Sequence, residues 1–339
     1  MLLTTTAELR QYLPAHQLDN LDGLTGFIDN SEHDFLLEKI GAPLYKALIE
    51  HYEELSDKDS ILPGGSPLTP WHQLIHLCQR PIAFDTFYRA ADVQAVSTNA
   101  SGLNIVATDG YDAADTDIIE RYKKRLNQEA HKGIDRLLVT LEEWAEDLSS
   151  LADGTEPDEE TQEKKDIIDL WRKSRYFYLA EGLFINTARK LNEFIDFYES
   201  REKFIQLLPD LRYCQEFVIR PELGDALTDD LMAKMQNGEL SEVERKAVRL
   251  AQYALALKVE ARSNLFKRAE AKDEALGAMT RMVDYLKANQ SSLDAEAVKT
   301  SPFYEAPKAE VKPTEPEKPV EPWKNNRKGN KLFVARAIE

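Results

Sequence analysis

Residues Phe35-Leu-Leu-Glu-Lys-Ile-Gly-Ala-Pro-Leu44 align without a gap on Val218-Ile-Arg-Pro-Glu-Leu-Gly-Asp-Ala-Leu227, and the match continues to Leu48 and Leu231. An internal repeat constrains a fold more than local propensity does, because both copies must adopt the same elements. Phe35 pairs with Val218, Leu36 with Ile219, Ile40 with Leu223 and Gly41 with Gly224. Three further matches occur in the same order. Leu9–Leu13 pairs with Leu191–Ile195. Ile75, Leu77, Gln79, Ile82 and Ala83 pair with Val248, Leu250, Gln252, Leu255 and Ala256. Ile134, Arg136, Leu137, Leu138 and Leu141 pair with Met279, Arg281, Met282, Val283 and Leu286. Apolar residues at i, i+3, i+4 and i+7 run through these segments, which is helical periodicity. The expected fold is therefore mainly α, with two diverged copies of a helical-bundle unit.

The helices expected in the first copy lie near 6–13, 23–38, 42–55, 70–93 and 116–148. Those of the second lie near 225–236, 242–267 and 270–290. Gly41 and Gly224 suit the left-handed position that closes a helix. Thr69-Pro70 puts proline at a first helical position, and Ser241-Glu-Val-Glu244 is a capping box. Only the first copy carries Val93–Ala107, where β-branched runs flank Asn99–Gly102. This reads as a β-hairpin insertion. A two-stranded ribbon is marginal alone and needs something to pack on.

Residues 1–150 form the expected first unit, with its hairpin at about 93–107. Residues 151–165 form an acidic linker around Asp153-Gly-Thr-Glu-Pro-Asp-Glu-Glu160, 166–295 the second unit, and 296–339 an arm. A helix from about 161 to 198 is expected to carry Trp171, Tyr176, Phe177, Tyr178 and Phe184, mostly in the core. From Ser301, prolines alternate with Lys and Glu, a composition that favours extended polyproline II. Residues 331–338 (Lys331-Leu-Phe-Val-Ala-Arg-Ala-Ile338) read as a terminal strand with no neighbour in sequence. Such a strand adds to a sheet edge elsewhere, on another subunit for example.

Net charge is -17, with 60 acidic and 43 basic side chains. That balance argues against a duplex nucleic-acid binder, which carries a basic footprint. The two cysteines, Cys78 and Cys214, provide neither a disulfide framework nor a zinc ligand set and read as buried free thiols. No signal peptide and no apolar run of about 18 residues is read. His72 and His76 stand one helical turn apart, but Gln73 occupies the position of a zinc-protease glutamate. The Gly64-Gly65 pair lacks the Lys-Ser/Thr of a phosphate loop, and Asp109–Asp117 lacks calcium-loop spacing. No nucleophile–base arrangement can be placed. The expectation is a non-enzyme with no catalytic residues, cofactor or metal.

Ile40-Gly-Ala-Pro-Leu-Tyr45 within Leu36–Leu48, the hairpin Val93–Ala107, Tyr176–Asn186 and Asn330-Lys-Leu-Phe-Val334 together resemble an uncharacterised virion-associated family of phages and prophages of Bacteroidetes hosts. That family is similar in architecture to phage head–tail connector (adaptor) proteins. The resemblance implies a structural ring protein between portal and tail, located in the virion neck after synthesis in the host cytoplasm. It implies about twelve copies in a homo-oligomeric ring, with portal and tail or neck proteins as partners, genomic DNA passing unbound, and no membrane. The hairpin residues Val96, Leu103, Ile105 and Val106 would bind a partner, as would the arm residues Trp323, Leu332, Phe333, Val334 and Ile338. The alternative is a non-viral bacterial cytoplasmic scaffold that docks through its Pro-rich tail.

Overall fold

The computed structural model of the chain describes residues 1–13, 19–55, 69–94, 96–99, 102–105, 116–149, 157–179, 182–266 and 270–306. The architecture is mainly α. Helix α1 (Thr6–Tyr12) opens at a capping box in which Thr5 and Glu8 satisfy each other's backbone N–H groups. Helix α2 (Thr25–Asn30) passes through a π-helical segment, Ser31–Leu36, into α3 (Leu37–Ile40). Gly41 breaks the run before α4 (Ala42–Glu54). Helix α5 (Pro70–Gln94) is followed by strands β1 (Val96–Asn99) and β2 (Gly102–Ile105), then by α6 (Thr116–Ser149). α5 and α6 pack along one another, and α7 (Glu159–Arg172) lies against α4, α5 and α6.

The C-terminal half begins with α8 (Ala188–Asn192), capped by Thr187, and α9 (Arg201–Cys214), capped by Ser200. A second π-helical segment, Gln215–Ile219, leads into α10 (Arg220–Leu223). After Gly224 come α11 (Asp225–Asn237), α12 (Glu242–Arg262) and α13 (Ala271–Ala288). α12 starts at the Ser241/Glu244 capping box and packs along α13. The last helix, α14 (Ala295–Lys299), packs on α11. The apolar faces merge into one core that includes Leu36, Leu44, Ile134, Trp171, Leu231, Leu255 and Met282.

The same break occurs in both halves. Gly41 has φ 83° and ψ 159°, and Gly224 has φ 87° and ψ 149°. Positive φ with extended ψ is a region that essentially only glycine occupies. It is not the left-handed cap expected from sequence. A serine explains the second requirement. A Cβ at Gly41 would lie 1.8 Å from the Ser174 Oγ, and one at Gly224 would lie 3.0 Å from the Ser301 Cα. Each glycine thus lets the chain turn and lets a downstream serine close onto it.

A buried backbone clamp also recurs. The Leu2 N–H donates to Glu32 Oε1 at 2.6 Å, and the Gln79 side-chain amide donates to the Leu2 carbonyl at 2.7 Å. In the other half the Phe184 N–H donates to Gln215 Oε1 at 2.8 Å, and Gln252 donates to the Phe184 carbonyl at 2.7 Å. Glu32 and Gln215 both lie in the π-helical segments, whose wider turn re-aims side chains. Gln79 and Gln252 were paired by sequence alone. Each clamp fixes an otherwise orphaned N–H and C=O inside the core, where leaving such a group unpaired is costly.

Three further expectations are corrected. The helix read across 161–198 ends at Arg172, because the chain turns at Ser174 to close on Gly41. It then runs irregularly through Gly182 (φ 99°) and restarts at the Thr187 cap. The boundary placed at 151–165 does not match the packing. α7, capped by Asp158, belongs with α4–α6, so the change of partner comes after Tyr178. The arm placed from 296 begins later, since Val298, Ser301 and Phe303 are buried in the C-terminal half. Burial of Cys78 and Cys214 as free thiols matches the sequence reading. The arm beyond 306, including strand 331–338, lies outside the described residues.

Gln252→Leu removes the donor to the buried Phe184 carbonyl and is expected to cost about 1–3 kcal/mol of stability. Urea unfolding reads this directly. A loss below about 0.5 kcal/mol would show that the clamp does not hold the segment.

Candidate interaction surfaces

Aligning Gln79 with Gln252 sets Arg262, the last residue of α12, against Arg89. Aligning Ile134 with Met279 sets Ala271, the first residue of α13, against Leu126. α5 therefore overruns its counterpart by about five residues and α6 starts about ten earlier, or roughly 7 Å and 15 Å of extra helix. These overhangs form a two-helix stalk carrying β1 and β2. Its surface exposes Val93 (58%), Ile118 (52%) and Tyr122 (37%). The Lys123 ammonium sits 5.6 Å from the Tyr88 ring centroid on the same stalk.

β1 and β2 pair antiparallel, Val96 opposite Ile105, Ser97 opposite Asn104, Thr98 opposite Leu103 and Asn99 opposite Gly102. Val96, Leu103 and Ile105, picked out from sequence, belong to these strands, while Val106 lies outside the described residues. So do Trp323, Leu332, Phe333, Val334 and Ile338.

Sequence reading missed a second surface. Tyr213 and Phe217, one turn apart across the end of α9, are 42% and 65% exposed with ring centroids 5.1 Å apart. The Arg262 guanidinium stacks 3.8 Å from the Tyr213 centroid and pairs with Asp210 at 2.8 Å. The corresponding residues of the N-terminal half are Asn30, Asp34 and Arg89. There the arginine is held by Asp34 at 3.0 Å and Asp85 at 2.6 Å. One arginine position is thus served by two carboxylates in one half and by one carboxylate and an aromatic ring in the other. The signal lay in the alignment that pairs Phe35 with Val218, which sets Phe217 against Asp34.

A buried polar cluster joins the halves. Arg201, at the start of α9, reaches Glu142 of α6 at 3.1 Å, and Tyr178 donates to the same carboxylate at 2.8 Å. The Arg201 backbone N–H donates to Asp135 at 2.7 Å. Burial raises the Glu142 carboxyl above its ordinary range, against the opposing pull of Tyr178 and Arg201. Nearby, Glu202 accepts from His131 and pairs with Lys39 at 3.0 Å. Its hydrogen bond to Glu202 raises His131. Burial opposes ionisation of Glu202, but His131 and Lys39 outweigh it and hold the carboxyl below its ordinary range. Beside this junction is a cleft of about 700 Å3, lined by Glu142, Arg172, Phe177, Asn186, Lys190 and Met235 among others. Its charges are largely committed: Glu142 to Arg201, Arg172 to Asp169 and Lys190 to Glu193.

His76 bonds Tyr12 at 2.7 Å through Nδ1, and burial lowers its basicity. Among the described residues no group of three or more His, Cys, Asp or Glu side chains is placed to hold a metal ion. No helix among them is long and apolar enough to cross a membrane.

The model of a family of unknown function, DUF6712, matches residues 37–150, from α3 to the end of α6 with the stalk and hairpin between. No curated protein and no solved structure matches the chain.

The junction pair sets a pH dependence. His131 is raised above 6.5 on folding, so its contribution is complete below that value and is lost as pH rises through the folded value. Glu202 is held below 4.5, so its contribution is present above 4.5 and is lost in acid. The pair is strongest between those limits. Thermal midpoints measured from pH 5 to 9 should fall on the alkaline side, with His131→Ala flattening the fall. Parallel profiles for the two proteins would rule out this pair as its source.

Proposed function

We propose that this chain is a structural head–tail connector (adaptor) protein of a tailed bacteriophage, built from two diverged copies of one helical unit. The first copy covers about 1–179 and the second about 182–306. Support for the duplication is the recurrence, in order, of the clamp, the π-helical segment, the positive-φ glycine and the serine that closes on it. Support for assembly is the hairpin. It is a two-stranded antiparallel ribbon that follows α5, where Val93 is exposed, and precedes α6, where Ile118 and Tyr122 are exposed. Such a ribbon is marginal alone and gains when it packs on a neighbour. The resemblance of Ile40–Tyr45, Val93–Ala107 and Tyr176–Asn186 to virion-associated phage proteins supports the neck of the particle as the place where this happens.

In this reading the chain acts by contact and not by catalysis. Copies stand side by side in a ring between portal and tail, and the hairpin reaches a neighbour. The C-terminal arm from about 307 laces onto an adjacent subunit by strand addition. The net charge of -17 leaves a surface that DNA passes without adhering.

Negative-stain imaging of the purified full chain, alone and mixed with the portal protein of its phage, tests this. Rings are expected, and deletion of residues 325–339 should lower ring yield while the helical body keeps its circular dichroism. A chain that stays monomeric with portal present would overturn the reading.

A further inference from the structure

Helix α6 carries its charges unevenly. Near its start, Arg121, Lys123, Lys124 and Arg125 fall within five residues. Towards its end, Glu142, Glu143, Glu146 and Asp147 fall within six, and no basic residue follows Arg136 in the helix. We infer that α6 pairs antiparallel with α6 of a second copy, the basic end of each lying against the acidic end of the other. This goes beyond the ring reading, since a two-fold contact closes on two copies whereas a ring needs a heterologous one.

The charges that would meet are uncommitted. Lys124 and Arg125 are exposed, and neither side chain makes an ion pair among the described residues. Glu129, four residues after Arg125, is taken by Arg80 and Lys132, each at 2.8 Å. Glu120, four before Lys124, lies 4.0 Å from Lys123. At the other end Glu143 and Glu146 are exposed, and no cation stands three or four residues from either. Like charges at this spacing destabilise a helix, as Arg121 does with Arg125 and Glu143 with Asp147. Glu146 stands in the last turn, where the helix dipole also disfavours a carboxylate. Its charge adds to the causes that raise Glu142. Nothing within the helix accounts for this arrangement, and a partner of reversed polarity relieves it.

Position selects a second copy of this chain as that partner. Leu126, Ala130, Leu137 and Leu141 are buried on the side of α6 that packs along α5. At 3.6 residues per turn, Lys124, Arg125, Glu143 and Glu146 fall together on the opposite side. Arg125 and Glu143 are 18 residues apart, which is about five turns and roughly 27 Å of helix. An antiparallel copy presents the same two patches at the same separation in reverse order, so one pairing satisfies both ends at once. Between the patches, Lys132 and Arg136 balance Glu129 and Asp135. Complementary patches at a matched separation fix both the partner and the register.

The test uses two full-length variants at these exposed positions. One carries Lys124→Glu and Arg125→Glu, the other Glu143→Lys and Glu146→Lys. Circular dichroism with thermal melting checks that the body is intact. Mass photometry and sedimentation velocity then read the mass without portal, in about 0.05 M salt. Wild type is expected as a dimer or an even multiple of one. Each variant alone sets like charges against each other and should fall to half the wild-type mass. An equimolar mixture should recover that mass, because each reversed end then meets a reversed end. Raising salt to about 0.5 M should weaken wild-type pairing at least several-fold.

A wild type that is monomeric at low salt overturns the α6 pairing and leaves ring formation with portal to be judged by imaging. The pairing is equally overturned if either variant keeps the wild-type mass, or if the mixture of the two stays at half of it. Recovery in the mixture also excludes misfolding as the cause of the loss, since a misfolded chain would not regain the contact.

Discussion

The Arg201 guanidinium lies buried where the two halves meet. It is 8% exposed, facing a Glu142 carboxylate that is 5% exposed. Burying both charges is expensive, and their attraction offsets that cost only when the remaining donors and acceptors are also satisfied. Tyr178 supplies one such bond, and Glu199 supplies another by accepting from Arg201 through its carbonyl at 2.8 Å. A hydrophobic contact of the same area would tolerate sliding, whereas this cluster has one geometry. Two-unit proteins commonly move about their linkers, and here the cluster ties the start of α9 to Glu142 and Asp135 of α6.

Within each half, a different device does the equivalent work at backbone level. The Glu32/Gln79 and Gln215/Gln252 clamps tie an opening segment to the π-helical turn and to the long helix behind it. The glycine break then permits the next helix to start at a sharp angle with a serine packed in the notch. These are the features in which the halves agree. They differ in what surrounds that skeleton: a stalk and hairpin in the first, exposed aromatic rings in the second. An interior constrained by hydrogen bonds and volume stays alike in the two halves, and surfaces free of that constraint are where they differ.

Much of the skeleton could be read from sequence because the repeat amplifies weak signals. The alignment pairs Gly41 with Gly224 and Gln79 with Gln252, and the capping box at Ser241 places the start of α12. The stretch from Arg172 to Thr187 was misread as helix. Its aromatic residues carry a helical period, while the signals that end the helix are long-range: Ser174 closing on Gly41, and Gln215 and Gln252 holding Phe184. Periodicity is blind to a hydrogen bond between residues 31 or 68 positions apart. The same limit hid the burial of Val298 and Phe303, which follow a polar stretch and look like the beginning of a tail. The Tyr213–Phe217 patch was missed because aromatic residues at helical spacing are ordinarily core, and only the comparison with Asn30 and Asp34 shows that this face points outward.

Differential scanning calorimetry of the full chain tests most directly whether the junction makes the two halves one rigid unit. The wild type should unfold in a single transition with calorimetric and van't Hoff enthalpies in agreement, and Arg201→Met, which strands the buried Glu142 carboxylate, should split or broaden that transition. Two separate transitions already present in the wild type would contradict the claim, because the halves would then melt independently of the buried pair.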